Sequence, residues 1–170
     1  MEIVQHYKEL ERYRGQLMEH DITTKFVLPL FEALNWNIYR FSKRGLEVSE
    51  QGFSGDLGTK EIKEGQPDIR LASKSGKIVF VEVKRELSGT PTRYLKGYDR
   101  YMTGKGRSKF IVLTDFKRMF IFTKGKKGLV QREVFSLDDY LTCFDKLWRY
   151  LSNSPKAIKK RAAIIATGNR

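Results

Sequence analysis

The chain carries two kinds of hydrophobic pattern, one typical of helices and the other typical of strands. Apolar residues spaced three and four apart predict helices over 2–18, 20–35, 92–103 and 136–151. Shorter alternating or β-branched runs predict strands over 36–41, 68–72, 78–84, 109–114, 118–123 and 129–135. The Gly- and Ser-rich stretch 42–66 predicts a long loop or irregular hairpin.

This order of elements predicts an α/β fold. Helices flank strands along the chain, which favours a central mixed sheet of four or more strands covered on both faces, in a three-layer α/β/α arrangement. The strands 68–72 and 78–84 are separated by the turn-forming residues 73–77, so they are expected to form a hairpin. A length of 170 residues fits one domain.

Charged residues fall at the ends of this predicted hairpin. Pro67-Asp68 precedes its first strand, and Glu82-Val83-Lys84 ends its second. Glu82 and Lys84 are two residues apart and share a face of the strand, which also receives Asp68 if the two strands pair. Two carboxylates can hold Mg²⁺ together with waters and a substrate phosphate. The alternative is a structural ion pair of Glu82 with Lys84 or Arg70, which would offset the cost of a buried carboxylate.

The net charge favours a polyanionic partner. The chain has 33 Lys and Arg against 20 Asp and Glu, a formal charge of +13 and a sequence pI near 9.8. Nucleic acid is favoured over an anionic membrane, because no strongly apolar amphipathic anchor accompanies the charge. Cys143 is the only cysteine, so no disulfide forms within the chain, as expected for a cytoplasmic protein.

These residues resemble the PD-(D/E)xK nuclease superfamily. The motif is Pro67-Asp68 followed by Glu82-Val83-Lys84 on a hairpin. Residues 19–36 are similar to the opening of nuclease domains in restriction enzymes, where an acid precedes a helix ending in a "PLL-x-x-LGW"-like phrase. Residues 111–116 and 119–122 are similar to the strand pair that closes such domains. The resemblance points to N-terminal nuclease domains of multifunctional restriction enzymes, namely type I-like, single-chain translocating or type IIG enzymes.

The resemblance implies a restriction-endonuclease-like fold over residues 1–151. Residues 152–170 would then be a basic linker or helix towards a further domain of the parent enzyme. It also implies a Mg²⁺ cofactor, for which Mn²⁺ substitutes, and double-stranded DNA as the partner. Methyltransferase, helicase or recognition domains would be covalently linked in the full-length enzyme, and no membrane partner is expected.

The resemblance also assigns roles to single residues. Asp68 and Glu82 would ligate the metal, with the backbone carbonyl of Val83 as a further ligand. Lys84 would position the attacking water or stabilise the pentavalent phosphorus. Glu19 matches the acid that these families carry on the first core helix. Its competitors for that role, both nearby in the sequence, are Asp21 and Glu32.

One position departs from the family pattern. Many relatives carry a Gln four residues before a Tyr on the helix after the Glu-x-Lys strand, and here Gly97 takes that place before Tyr101. Lys96, Tyr98 or Arg100 serves instead, or the contact is absent. The same region is basic, with tyrosines interleaved, which favours phosphate contact over a solvated face with core tyrosines. The predicted DNA-binding residues are Arg93, Lys96, Arg100, Lys105 and Arg107.

The resulting hypothesis is a Mg²⁺-dependent DNA endonuclease, a type II-like or type I-like site-specific deoxyribonuclease whose own domain has little sequence specificity. It would hydrolyse phosphodiesters and leave a 5′-phosphate, as in relatives. Two alternatives stay open: a catalytically silent nucleic-acid-binding module, and a stand-alone repair or junction-resolving nuclease of the same superfamily.

Overall fold

The computed structural model describes residues 2–11, 17–38, 51–54, 67–73, 76–103 and 109–153. Its α-helices are α1 (Glu2–Glu11), α2 (Glu19–Ile22), α3 (Leu28–Ala33), α4 (Asp139–Thr142) and α5 (Phe144–Leu151). Its strands are β1 (Gln51–Ser54), β2 (Ile69–Ser73), β3 (Ile78–Val83), β4 (Lys109–Thr114), β5 (Arg118–Gly125) and β6 (Gly128–Ser136). The predicted linker or helix within 152–170 lies outside the described residues beyond Asn153, so it stays a prediction.

The strands form one mixed sheet. Its order is β1-β2-β3-β4-β5-β6, and every neighbouring pair is antiparallel except β3 and β4, which are parallel. A parallel pair needs a crossover connection, and here the crossover carries two short 3₁₀ segments, Pro91–Leu95 and Tyr98–Met102. The predicted α/β class, with a mixed sheet of at least four strands, is confirmed.

The central strand β3 is buried along its whole length and separates two hydrophobic clusters. Val79, Val81 and Val83 belong to a cluster that also contains residues of α1, α3 and α5, here called the helix-side cluster. Ile78 and Phe80 belong to a second cluster with residues of the 3₁₀ segments, here called the 3₁₀-side cluster. Because side chains alternate along a strand, Glu82 lies on the 3₁₀ side.

The predicted helix 20–35 is interrupted by a π-helical turn over Thr23–Val27, between α2 and α3. The amide of Leu28 donates to the carbonyl of Thr23, five residues back. Pro29 follows at once, and a proline has no N–H and collides with the carbonyl four residues before it. The wider turn accommodates that collision without ending the helix. Phe26, Leu30 and Phe31 remain fully buried.

The predicted strand over 36–41 is wrong for the residues that the structure describes there. Trp36 and Asn37 belong to no strand and Ile38 lies in a turn, while residues 39–41 fall outside the described ranges. Asn35, with φ of 70°, ends the helix in a left-handed conformation. Trp36 is then buried, and its indole Nε1 donates to the Leu151 carbonyl at 2.7 Å. The apolar alternation therefore reflects loop residues packing into the core.

The predicted helix 92–103 is also different. It consists of the two 3₁₀ segments, separated by a turn in which Gly97 has φ of 81°. A left-handed residue cannot continue a right-handed helix, and glycine adopts that conformation without steric cost. The apolar face was still correctly placed, since Leu95, Tyr98 and Met102 are buried in the 3₁₀-side cluster.

The bounds of three other elements differ from the predicted ones by several residues. The first predicted helix does not reach Leu17 and Met18, because Met18 is extended before α2. Part of the predicted loop 42–66 is strand β1, which pairs with β2. The last predicted helix begins at Asp139 rather than Ser136. Ser136 ends β6, and its amide and hydroxyl both donate to the Asp139 carboxylate at 2.7 Å.

Candidate functional site

The β2–β3 hairpin brings Asp68 next to Glu82. Ile69 pairs with Val81, so the same register continued by one residue places Asp68 opposite Glu82. The Val83 amide donates to Asp68 Oδ2 at 2.7 Å, which fixes this carboxylate against the end of β3. Glu82 is 8% exposed in a strand otherwise made of apolar residues. The predicted juxtaposition of the two acids is therefore present.

Lys84 lies between Glu82 and an acid from the first core helix. Its ammonium nitrogen is 2.7 Å from Glu82 Oε1 and 3.7 Å from Glu19 Oε2. The other oxygen of Glu19 accepts from the Arg85 amide at 3.4 Å. Of the acids weighed for this position, Glu19 is therefore the one that contacts Lys84.

The two competing acids are placed differently. Asp21 is 2.8 Å from Lys25 Nζ, one helical turn further along, and it also accepts from the Met18 amide. Glu32 lies on α3, beyond the π-helical turn.

A tyrosine completes the surroundings of Glu82. The Tyr98 hydroxyl donates to Glu82 Oε2, while Lys84 holds Oε1. Tyr98 is 1% exposed, and burial beside the Glu82 charge raises the pKa of its phenol, which keeps it a donor. Of the three residues considered as substitutes for the missing Gln, Tyr98 is the one with a contact to Glu82. The helical pattern alone does not predict this hydrogen bond, because the same pattern is expected for tyrosines that only pack in the core.

We call Glu19, Asp68, Glu82 and Lys84 the acid cluster. It contains three acidic side chains and one basic side chain. Burial raises the pKa of Asp68 to about 6, and the neighbouring charge of Glu82 adds to the rise against the lowering effects of the Val83 amide and Lys84. Burial alone would lower the pKa of Lys84, but its hydrogen bond to Glu82 and the surrounding carboxylates raise it above its ordinary value. The raised pKa favours the charged ammonium form of Lys84 at neutral pH.

The donor set fits only part of a metal shell. Among the residues that the structure describes, no three His, Cys, Asp or Glu side chains form a group that could hold a metal ion. Asp68 and Glu82 could supply two carboxylate oxygens, and Asp68 uses only Oδ2 for its backbone hydrogen bond. Mg²⁺ is commonly held by one or two carboxylates with water and phosphate completing the shell. After burial, the charge of Glu82 is the next cause of the raised pKa of Asp68, and a cation beside both carboxylates would offset that repulsion.

The predicted DNA-binding residues are exposed on the two 3₁₀ segments as far as the structure describes them. Arg93 stacks on Tyr94, 4.7 Å from the ring centroid, and Arg100 stacks on Tyr101 at 5.0 Å. Lys96 is exposed in the turn between them. Lys105 and Arg107 lie outside the described residues. Arg93 also donates to the Ser88 hydroxyl at 2.9 Å and to the Tyr94 hydroxyl at 2.8 Å, and Arg100 donates to the Tyr101 hydroxyl at 3.2 Å, so the protein restricts both guanidinium groups.

Comparison with protein-family models, with characterised proteins and with solved structures gives no match. No helix in the described part of the chain is long and apolar enough to cross a membrane.

Proposed function

We propose that this chain is a Mg²⁺-dependent DNA endonuclease domain. The observation that carries the proposal is the convergence of Asp68, Glu82 and Lys84 at one end of the β2–β3 hairpin, with Glu19 added from α2. Carboxylates and a lysine brought together at the end of buried strands cost stability, and such groups are typical of functional sites. The formal net charge of +13 for the whole chain suits a polyanionic substrate.

The proposed reaction is hydrolysis of a phosphodiester bond. Asp68 and Glu82 would hold the metal, with the Val83 carbonyl as a further ligand. The chemistry that Mg²⁺ supplies when bound is a water of lowered pKa and positive charge beside the phosphate. As an ammonium, Lys84 would be a donor that orients the attacking water or stabilises the negative charge that develops on the phosphate oxygens. Glu19, at 3.7 Å, is a second carboxylate near the Lys84 ammonium.

The proposal extends to the fold family. A three-layer, restriction-endonuclease-like arrangement is supported by the two hydrophobic clusters on opposite faces of the sheet and by the parallel β3–β4 pair beside the site. Double-stranded DNA is the proposed partner, bound mainly through phosphates by the exposed arginines and lysines of the 3₁₀ segments, and therefore with a steep dependence on salt. Target choice would come from recognition, helicase or methyltransferase domains linked to this one.

Nicking of supercoiled plasmid tests the proposal. Wild type is incubated with Mg²⁺ or Mn²⁺ beside Glu82→Ala and Lys84→Ala. The matched control is Lys146→Ala, which removes a Lys–Glu pair of similar geometry, at 2.6 Å from Glu133, on the α5 and β6 side. We expect metal-dependent nicking in the wild type and the control, and its loss in the two site variants. Nicking that survives Glu82→Ala would exclude this site.

A catalytically silent DNA-binding module is the second candidate. Its support is that both oxygens of Glu82 already accept hydrogen bonds from the protein, from Lys84 and Tyr98. In that case the acid cluster is a structural ion pair, as the alternative interpretation of Glu82 supposed. A wild type that binds DNA without cleaving it, and whose DNA affinity is unchanged by Glu82→Ala, would favour this candidate.

A further inference from the structure

We propose that Tyr98, on the second 3₁₀ segment, is a positioning residue that orients the carboxylate of Glu82. The inference rests on the proposed function, because it concerns how the carboxylate is presented to the metal. Tyr98 itself would touch neither metal nor DNA. Its hydroxyl donates to Glu82 Oε2, and it would act through that hydrogen bond.

The geometry leaves Tyr98 little freedom. Its ring is buried in the 3₁₀-side cluster and contacts the Tyr101 ring edge-on, with centroids 5.6 Å apart. Tyr101 in turn contacts the Phe80 ring at 5.1 Å, two residues before Glu82 on the same face of β3. The hydroxyl is thus held by rings that pack on the very strand that carries its partner. A hydrogen bond from a side chain fixed in this way orients a carboxylate better than one from a mobile surface group.

The local backbone explains how Tyr98 reaches the site. Gly97 has φ of 81° and stands directly before the second 3₁₀ segment, which begins at Tyr98. This left-handed residue turns the chain, so that the second segment starts on the buried side while Lys96 and Arg100 remain exposed. A continuous α-helix over 92–103 would not include that reversal. The departure from the family pattern at Gly97 and the contact of Tyr98 with Glu82 are therefore two aspects of one local structure.

Glu82 therefore has a fixed orientation and keeps lone pairs that a cation could use. A carboxylate offers about four lone-pair sites, and Lys84 and Tyr98 occupy one on each oxygen. The two remaining sites are available to a cation while both protein hydrogen bonds persist. Loss of the Tyr98 bond would let the carboxylate rotate towards Lys84, and partners of metal-ligating groups typically contribute 10- to 100-fold to metal affinity.

The experiment compares Tyr98→Phe with Tyr150→Phe, which also removes a tyrosine hydroxyl that donates to a glutamate, here Glu133 on β6 at 3.1 Å. Two quantities are measured on the whole chain: Mn²⁺ binding without DNA, by electron paramagnetic resonance, and the Mg²⁺ concentration for half-maximal plasmid nicking. We expect Tyr98→Phe to weaken Mn²⁺ binding roughly tenfold or more and to raise the half-maximal Mg²⁺ concentration similarly. The nicking rate at saturating Mg²⁺ should fall much less, and Tyr150→Phe should match the wild type.

A double variant separates positioning from general packing. If Tyr98 acts through Glu82, Tyr98→Phe adds no further loss of Mn²⁺ affinity to a Glu82→Gln protein, whereas a packing defect adds its full cost. Wild-type Mn²⁺ affinity and Mg²⁺ dependence in Tyr98→Phe, with the wild type active, would overturn the inference and leave the proposed function intact. A wild type that neither binds Mn²⁺ nor nicks DNA would overturn both.

Discussion

Two lysines bound the central strand β3, and their surroundings differ. Lys77 comes directly before the strand, and its ammonium donates to the carbonyls of Tyr150 and Ser152 at 3.1 and 2.9 Å, where α5 ends. Lys84 comes directly after the strand and faces the carboxylates of Glu82 and Glu19. Burial lowers the pKa of Lys77, whereas the neighbouring carboxylates raise that of Lys84 in spite of burial.

Under the proposed function, Lys77 serves the fold and Lys84 serves the site. Lys77 supplies positive charge to a helix C-terminus, where unpaired carbonyls and the helix dipole favour a cation. Lys84 holds together carboxylates that would otherwise repel one another, and even so the pKa of Asp68 rises to about 6. A protein gains little stability from gathering like charges, so the second arrangement needs a different reason, which the proposed chemistry provides.

The largest expected effect comes from exchanging each lysine for methionine. Lys84→Met should slow metal-dependent nicking roughly 100- to 1000-fold, as loss of one charged donor to a transition state typically does. Lys77→Met should leave the rate per folded molecule unchanged. Single-turnover rates at saturating metal and DNA measure both. Equal losses in the two variants would show that the rate depends on the integrity of β3 and not on the charge of Lys84.

Removing the charge of Asp68 should stabilise the protein when no metal is present. A rise in pKa from 3.8 to about 6 corresponds to at most about 3 kcal/mol of stability lost by the ionised form at pH 8. Asp68→Asn keeps an oxygen for the Val83 amide but abolishes that cost. Urea unfolding in a metal chelator measures the gain, and saturating Mg²⁺ should then stabilise the wild type more than the variant.

The pH dependence of this gain has a defined sign. Below pH 3.8 Asp68 is protonated in both the folded and the unfolded wild type, so the variant gains nothing from its missing charge. Between pH 3.8 and about 6 the unfolded chain ionises first, so the wild type loses stability progressively and keeps the full deficit at higher pH.

Asp139 serves as a control whose pKa is shifted in the opposite direction to that of Asp68. Hydrogen bonds from Ser136 lower its pKa, so its stabilising contribution is present above its unfolded pKa and is lost as the pH falls. Asp139→Asn should therefore destabilise the protein at pH 8. Destabilisation by Asp68→Asn at that pH would mean that Asp68 is a structural acid.

The stability cost of Lys77→Met should be smaller, about 1–2 kcal/mol, because two carbonyls at the end of α5 lose a charged donor. The loss should vary little between pH 5 and 8, since the partners of Lys77 do not titrate. Lys124→Met, at an exposed position of β5, is the control and should stay within about 0.5 kcal/mol of the wild type. A loss for Lys77→Met no larger than that of the control would show that Lys77 does not stabilise the fold.

The sequence was sufficient for the hairpin and its acids because the signal there is local. The β-branched run of β3 interrupted by Glu82, and the turn that returns the chain from Asp68, together determine which side chains meet. The contact of Lys84 with Glu19 joins residues 65 positions apart, and no periodicity encodes it. Glu19 itself was singled out only through the resemblance to the PD-(D/E)xK nuclease superfamily.

Backbone conformation accounts for the elements that were predicted wrongly. Asn35 and Gly97 both adopt positive φ, and each ends a helical stretch where the hydrophobic pattern continues. After Asn35 the alternation around Trp36 imitated a strand. At Gly97 an unbroken apolar face concealed two 3₁₀ segments, and with them the contact between Tyr98 and Glu82. Hydrophobic spacing reports which side chains are buried, and it does not report the turns by which the chain buries them.

The smallest expected effect tests how far the acid cluster extends. Glu19 is 49% exposed at the side chain and 3.7 Å from Lys84, so its interaction is worth at most about 1 kcal/mol. Glu19→Gln should therefore slow nicking about two- to fivefold, because Lys84 keeps Glu82 as its main partner but loses one restraint. Asp21→Asn is the matched control, since it removes an acid of the same helix that pairs with Lys25 instead. Single-turnover nicking with both variants tests the role of Glu19. Equal rates would confine the active site to the β2–β3 hairpin. A loss of 100-fold or more in Glu19→Gln would add Glu19 to the active site, which would then lie between the hairpin and α2.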